Sequence, residues 1–197
     1  YLNHLSAKIH ANIYRNKKED RSRFITFWTR ELPELLNTLR RPMLYAFLIF
    51  GLAAAIGSIS VLNDDTFIRL ILGDGYVNMT LENIEKGQPL GVYADSGELD
   101  MFFAITFNNI RVSFTAFAAG ILLSAGTGFV LFRNGIMVGA FFTFFYQKNL
   151  LVDSIFVVML HGTIELSAIV LAGAAGLHMG NAILFPKTYS RYDSFRQ

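Results

Sequence analysis

His161 and Glu165 are the two residues whose types and spacing most clearly suggest chemistry in this chain. They lie four positions apart in an apolar run long enough to cross a bilayer, L160-H-G-T-I-E-L-S-A-I-V-L-A-G-A-A-G-L-H-M-G-N-A-I-L184. A helix turns about 100° per residue, so side chains four positions apart share one face. Ionisable side chains in hydrocarbon normally face protein or a water-filled cavity. The spacing therefore predicts a buried polar pair inside a transmembrane helix.

Two interpretations of this pair remain open. A hydrogen bond between the two side chains would fix helix packing, whereas a proton- or ion-handling pair would line a polar path. A metal site needs three or four ligands, and His178 lies on a different side of the same helix, so no metal or other cofactor is predicted. The sequence contains no nucleophile elbow, phosphate loop or dinucleotide fingerprint. No catalytic residue and no enzymatic activity are predicted.

Further polar residues flank the second apolar span. Asn108, Asn109 and Arg111 are expected at its outer entrance, and Asn134 at its inner end. Asparagine amides can satisfy backbone groups where a helix starts or breaks in a membrane. Arg111 is expected close enough to the outer interface to pair with Glu165 or with an acidic loop.

The composition is that of a membrane protein. Hydrophobic residues make up 53% of the 197 residues, and the mean hydropathy is +0.40, which is too apolar for an ordinary soluble domain. The absence of cysteine excludes disulfides and thiolate chemistry. The predicted fold class is all-α, a multi-pass transmembrane helical bundle. Because the chain begins with Tyr1, it is expected to be a piece of a longer protein.

The apolar runs predict a transmembrane domain over residues 43–197 with four crossings, at about 43–62, 110–132, 133–148 and 163–185. An acidic outside loop would occupy residues 63–100, and a short outer half-helix residues 150–160. A straight helix from Leu150 to Leu184 would exceed about 50 Å, so a break is expected at His161-Gly162.

The basic residues predict the orientation. Eight Lys and Arg lie between Arg15 and Arg41, which places the N-terminal side in the cytoplasm. The lysine and arginines near the other end of the chain then call for a cytoplasmic C-terminal side.

Residues 1–42 are predicted to form cytoplasmic or interfacial amphipathic helices. Apolar and aromatic side chains between Phe24 and Leu39 share one broad face, basic residues surround it, and Pro33 should kink the helix. This pattern is typical of a helix lying in the headgroup region. A cytosolic helix packed on a partner is the alternative.

Small residues recur at every fourth position in two spans and predict close helix packing. The two series are Ala116, Gly120, Ser124, Gly128 and Ala168, Ala172, Gly176, Gly180.

Several motifs together resemble the stage II sporulation protein M family of bacterial integral membrane proteins. They are N108-N-I-R111, F117-A-A-G-I-L-L-S-A-G-T-G128, L131-F-R-N-G-I-M-V-G-A140 and H161-G-T-I-E-L-S-A-I-V-L-A-G-A-A-G-L177. The outside loop, G75-Y-V-N-M-T-L-E-N-I-E-K-G-Q-P-L-G-V-Y93, is similar to that of the longer branch found in non-sporulating bacteria.

The resemblance implies a bacterial inner-membrane protein without established catalysis. The sporulation member works with two peptidoglycan-degrading partners as their membrane anchor or scaffold, and because this chain is similar to the longer branch, that sporulation role is not carried over to it. We therefore expect a non-catalytic scaffold for a cell-envelope complex, with the lipid bilayer and other envelope or membrane proteins as partners and no nucleic acid. A homo-oligomer is compatible with this expectation, and further membrane helices are expected after Gln197. The alternative is a transporter or channel subunit with a polar path at His161 and Glu165.

Overall fold

The computed structural model describes residues 22–88 and 98–186, without the side chains of residues 22, 98–101, 160 and 161. Helices account for nearly all of this part of the chain, and it contains no strand. The predicted all-α class is therefore confirmed. One compact unit ends at Thr38, and a second begins at Leu39.

The described part of the first unit is helical from Ser22 to Thr38. Helix α1 (Ser22–Thr26) leads into a π-helical turn (Phe27–Glu31) and then into α2 (Leu32–Thr38). The amide of Leu32 donates to the carbonyl of Phe27, five residues earlier. Pro33 has no N–H, and in a regular helix its ring would clash with the carbonyl four residues earlier. The wider turn directly before Pro33 is where the helix accommodates the proline.

Six helices form the described part of the second unit. They are α3 (Arg40–Asn63), α4 (Phe67–Leu72), α5 (Asp74–Glu85), α6 (Glu98–Ala118), α7 (Ala125–Gln147) and α8 (Leu151–Leu184). Three segments are long and apolar enough to span a membrane, namely α3, α7 and the Gly162–Leu184 part of α8.

Helices α3 and α7 pack in parallel through glycines. A Cβ atom added at Gly135 would collide with the carbonyl of Phe50, and one added at Gly139 would collide with the carbonyl of Ala54. Further along, the Gln147 side chain donates to the carbonyl of Val61 at 3.3 Å. Because glycine has no side chain, the backbones of α3 and α7 can approach closely at these positions, as is common in pairs of membrane helices.

Helices α6 and α8 run in the direction opposite to that of α3 and α7. Along α8, Gly173 contacts Leu131 and Gly176 contacts Thr127, so α8 is antiparallel to α7. Gly176 also contacts Ala116 of α6, whereas Glu165 bonds to Asn109 of the same helix, so α6 is parallel to α8. The bundle thus has four long helices of alternating direction, and the prediction of four crossings stays a prediction.

The chain reverses between α6 and α7 at residues 119–124, not at the predicted boundary near 132–133. A 3₁₀ turn (Ala119–Ile121) is followed by Leu123 and Ser124 with φ of 55° and 67°. Such left-handed residues end a helix. Arg133 and Asn134 instead lie inside α7, and the predicted spans 110–132 and 133–148 are corrected to α6 and α7.

Helix α8 also corrects the predicted break at His161-Gly162, because it is continuous over 34 residues. At 1.5 Å per residue it is about 50 Å long, whereas a hydrocarbon core is about 30 Å thick. The predicted separate half-helix at 150–160 is therefore the first part of α8, which extends beyond the core.

Residues 64–88 of the acidic segment after α3 form a small helical cap, and residues 89–97 lie outside the described residues. The Asp64 carboxylate accepts hydrogen bonds from the Thr66 hydroxyl at 2.7 Å and amide at 2.8 Å, and these bonds lower the pKa of Asp64. Buried residues of α4 and α5, including Ile68 and Val77, pack with Phe144 and Phe145 at the end of α7. This cap marks the end of the bundle opposite to the 119–124 turn.

Candidate functional site

The polar site of the bundle is a hydrogen-bonded cluster between α6 and α8. The Glu165 carboxylate accepts one hydrogen bond from the Thr106 hydroxyl at 3.0 Å and another from the Asn109 side-chain amide. Thr106 and Asn109 are three residues apart on α6, so they share the face that packs on α8. All three side chains are partly buried.

The position of the cluster along the bundle corresponds to the middle of a hydrocarbon core centred on α3. When the hydrocarbon core is placed on the uncharged residues 43–62 of α3, its midplane falls near Ala53, which contacts Gly135 of α7. Leu131, which lies four residues before Gly135 in α7, contacts Gly173 of α8. Glu165 lies eight residues, or about two turns, before Gly173 in α8, in the direction of the end of the bundle that carries the α4–α5 cap. At 1.5 Å per residue, Glu165 then lies within about one helical turn of the midplane.

At this depth the cluster can act chemically in two ways. Ionisable groups at the centre of a membrane helix are costly, about 3 kcal/mol for an aspartate by insertion scales, and hydrogen bonding to donors compensates part of such a cost. Two donors from α6 tie that helix to α8 and orient the carboxylate. A carboxyl group held by neutral donors could also bind and release a proton or a cation.

His161 belongs to α8, but its side chain lies outside the described residues. The predicted pairing of His161 with Glu165 therefore stays a prediction. The partners that the structure gives Glu165 come from α6, and one of them, Thr106, is absent from the sequence prediction. Its position three residues before Asn109 is the signal that could have identified it.

The other predicted polar residues lie apart from Glu165. Asn108 and Arg111 are exposed on α6, and the hydrogen bonds of Glu165 come from Thr106 and Asn109 rather than from Arg111. The alternative pairing of Arg111 with the acidic loop includes residues 89–97, which lie outside the described residues. Helix α6 begins at Glu98, so Asn108 and Arg111 lie inside the helix rather than at its start. Asn134 donates its amide to the carbonyl of Val130 within α7 at 2.7 Å.

Some of the predicted packing residues make close contacts between the backbones of neighbouring helices. A Cβ at Gly120 would collide with the backbone of Gly176, and one at Gly180 would collide with Ser124. The Ser124 hydroxyl donates to the carbonyl of Leu177 at 3.1 Å.

The remaining predicted packing residues differ in their surroundings. Ala116 is buried and Ala172 partly buried, whereas Ala168 is exposed. Gly128 has open space where its side chain would be, so the small-residue series pack along only part of their length. Within the described residues, no group of three His, Asp or Glu side chains could hold a metal ion.

The match to a known family covers most of the chain. Residues 46–197 match the family model described as stage II sporulation protein M. The chain belongs to that family. The α6–α8 cluster lies within the matched region of this stage II sporulation protein M family member, whereas the helical residues 22–38 precede it. No curated protein and no solved structure matches the chain significantly.

Proposed function

We propose that this protein is a non-catalytic membrane scaffold or anchor for a cell-envelope complex. The observation that carries the proposal is the cluster of Thr106, Asn109 and Glu165, because its hydrogen bonds join two helices of the bundle. A polar group used in this way stabilises one arrangement of helices, which suits a rigid platform. Membership of the stage II sporulation protein M family supports the same function.

The proposed location is the bacterial cytoplasmic membrane, with the first turn of α3 on the cytoplasmic side. Arg40 and Arg41 begin α3, and further basic residues precede them, in agreement with the positive-inside rule. The helical cap of α4 and α5 then lies outside, where envelope partners would be accessible.

The first unit supports attachment to the membrane surface. Phe24, Trp28 and Leu35 are 72%, 55% and 51% exposed, so this apolar face is not used within the unit. Arg23 and Arg30 accompany it, and Arg30 forms an exposed ion pair with Glu34 at 3.1 Å. A helix with exposed aromatic side chains and basic neighbours binds at the headgroup region. We propose that residues 22–38 lie on the cytoplasmic surface of the membrane.

A second candidate function is that of a transporter or channel subunit. The observation that favours it is the depth of Glu165, because carboxylates near the midplane often mark ion or proton pathways. In that case Glu165 would exchange a proton or cation rather than stay in a fixed hydrogen-bonded state.

Substitution of Glu165 by Gln separates the two functions. An amide oxygen still accepts hydrogen bonds, but the amide does not exchange a proton at ordinary pH. A scaffold should therefore keep its fold, its envelope partners and its ability to complement a deletion strain. The measurements are thermal unfolding in detergent, co-purification from native membranes and complementation. Normal accumulation and partner binding together with lost complementation would favour the transport function, whereas a wild-type chain that recovers no envelope protein would contradict the scaffold.

A further inference from the structure

Helix α6 carries a polar stripe on the side that faces away from Glu165. Asn108, Arg111 and Thr115 follow one another at helical spacing and are all exposed. Beside them lie exposed aromatic residues, including Phe107 (66% exposed) and Phe114 (70% exposed). Helix α6 packs on α8 and α7, and among the described residues of the second unit no helix covers the stripe.

The depth of Arg111 makes this exposure unusual. Arg111 is two residues from Asn109, which bonds to Glu165, so it also lies within about one turn of the membrane midplane. Half of a hydrocarbon core is about 15 Å, so from this level the Arg111 side chain reaches an interface only if the bilayer thins locally or water enters it. Snorkelling is therefore more costly for Arg111 than for an arginine near a helix end.

The described part of the chain supplies no counter-charge for Arg111. None of its ion pairs includes Arg111. Glu165 is the only carboxylate of the described residues at this depth, and it accepts its hydrogen bonds from the other side of α6. An arginine facing lipid at the midplane is costly, and such residues normally pair with another polar group.

We propose that the stripe of Asn108, Arg111 and Thr115 is the docking surface for a transmembrane helix of another protein, which carries an Asp or Glu at the level of Arg111. Charge complementarity identifies this partner, because a carboxylate would neutralise the guanidinium in hydrocarbon and accept two parallel hydrogen bonds from it. The carboxylate that a second copy offers at this depth from the described residues is Glu165, which is partly buried and already accepts two hydrogen bonds from its own α6. Two copies of the stripe would also bring arginines together. The proposal rests on the scaffold function and gives that scaffold an intramembrane contact.

Photo-cross-linking in native membranes tests the proposal. A photo-reactive amino acid replaces Thr115 in the full chain, and the same amino acid at Phe47, which is 64% exposed on α3, is the control. We expect an adduct from position 115 to a membrane helix of another protein that contains an Asp or Glu, and no such adduct from position 47. Arg111→Gln should reduce that adduct roughly tenfold or more, because one partner of a desolvated charge pair is lost. Arg111→Glu combined with an acid-to-Arg change in the partner should restore it.

The other outcomes overturn the proposal. Adducts from position 115 only to another segment of the same chain, only to a second copy of the chain, only to lipid, or to a helix without a carboxylate would each contradict it. An adduct that Arg111→Gln does not weaken would also contradict it. Unchanged thermal unfolding of Arg111→Gln in detergent would show that its bundle is intact. If envelope proteins co-purify with the wild-type chain but the position-115 adduct is absent, the docking surface is wrong while the scaffold stands. If no envelope protein co-purifies, the scaffold itself is wrong.

Discussion

The carboxylate of Glu165 is held by donors from a single neighbouring helix, and this defines its role at the residue scale. Thr106 and Asn109 each donate one hydrogen bond to it across the α6–α8 contact. Interhelical hydrogen bonds in membranes average about 0.6 kcal/mol, but leaving a buried polar partner unsatisfied costs more. The cluster therefore acts mainly by disfavouring arrangements in which Glu165 loses its donors.

Two neighbouring asparagines provide a matched test of this role. Asn109→Leu removes a donor from Glu165 and should lower the free energy of unfolding by about 1–3 kcal/mol. Asn108→Leu makes the same chemical change at an exposed position and should have little effect in detergent. Thermal unfolding of both variants in one detergent measures the difference. Equal losses would show that Asn109 has no special role in holding α6 against α8.

At the scale of elements, contacts between glycines and neighbouring backbones determine which helices pair. Gly57, Gly135 and Gly139 lie at the α3–α7 contact, and Gly120 and Gly176 lie where the end of α6 meets α8. Side chains at these positions would separate the helices. The pairing of helices in the bundle thus depends on glycines at the contacts as much as on apolar side chains.

Leucine substitutions at two glycines of α7 test this packing. Gly139→Leu places a side chain against the backbone of Ala54 and should destabilise the bundle by more than the 1–3 kcal/mol typical of overpacking, because backbone cannot move aside. At Gly128 a side chain meets open space, and leucine favours helix over glycine, so Gly128→Leu should be neutral or slightly stabilising. Unfolding of the purified variants in detergent is the measurement. Similar destabilisation at both positions would contradict the described α3–α7 contact.

The sequence predicts the apolar helices better than the points where they end. The uncharged run 43–62 lies within α3 because charge and length alone define it. R133-N-G135 and His161-Gly162 suggest helix breaks in the sequence, yet both lie inside helices. Gly135 permits close contact with α3, and Gly162 stays helical. The actual reversal at Leu123-Ser124 has a left-handed backbone without glycine or proline, so local sequence gives little signal for it.

For the candidate site, the sequence likewise predicts single residues better than the contacts between them. Glu165 and Asn109 stand out as polar residues in apolar segments, but their contact depends on the parallel packing of α6 and α8. Pairing between distant helices does not follow from the periodicity of either helix. For the same reason the sequence leaves Glu165 and the acidic loop open as partners of Arg111, which lies on the exposed face of α6.

The attachment of the first unit can be measured with the only tryptophan of the chain, Trp28. If residues 22–38 lie in the headgroup region, lipids brominated along their acyl chains should quench Trp28 fluorescence in reconstituted bilayers, and aqueous iodide should quench it weakly. The chain in detergent with brominated lipid omitted is the reference. Strong quenching by iodide without quenching by lipid would instead indicate a helix that packs on a cytosolic partner.

At the scale of the whole molecule, the alternating directions of α3, α6, α7 and α8 define two ends of the bundle. The α4–α5 cap and the α7–α8 connection lie at one end, and the 119–124 turn lies at the other. This arrangement places Glu165 and Arg111 near the midplane, so both functional proposals depend on it.

Single-cysteine labelling tests that arrangement most directly, because the chain has no cysteine of its own. Glu85→Cys and Lys148→Cys introduce thiols at the capped end, and Leu122→Cys introduces one in the turn at the opposite end, all at exposed positions. In intact cells or spheroplasts, a membrane-impermeant maleimide should label positions 85 and 148, and it should label position 122 only after permeabilisation. Labelling of position 122 from outside, or of positions 85 and 148 on opposite sides, would contradict the four-crossing bundle.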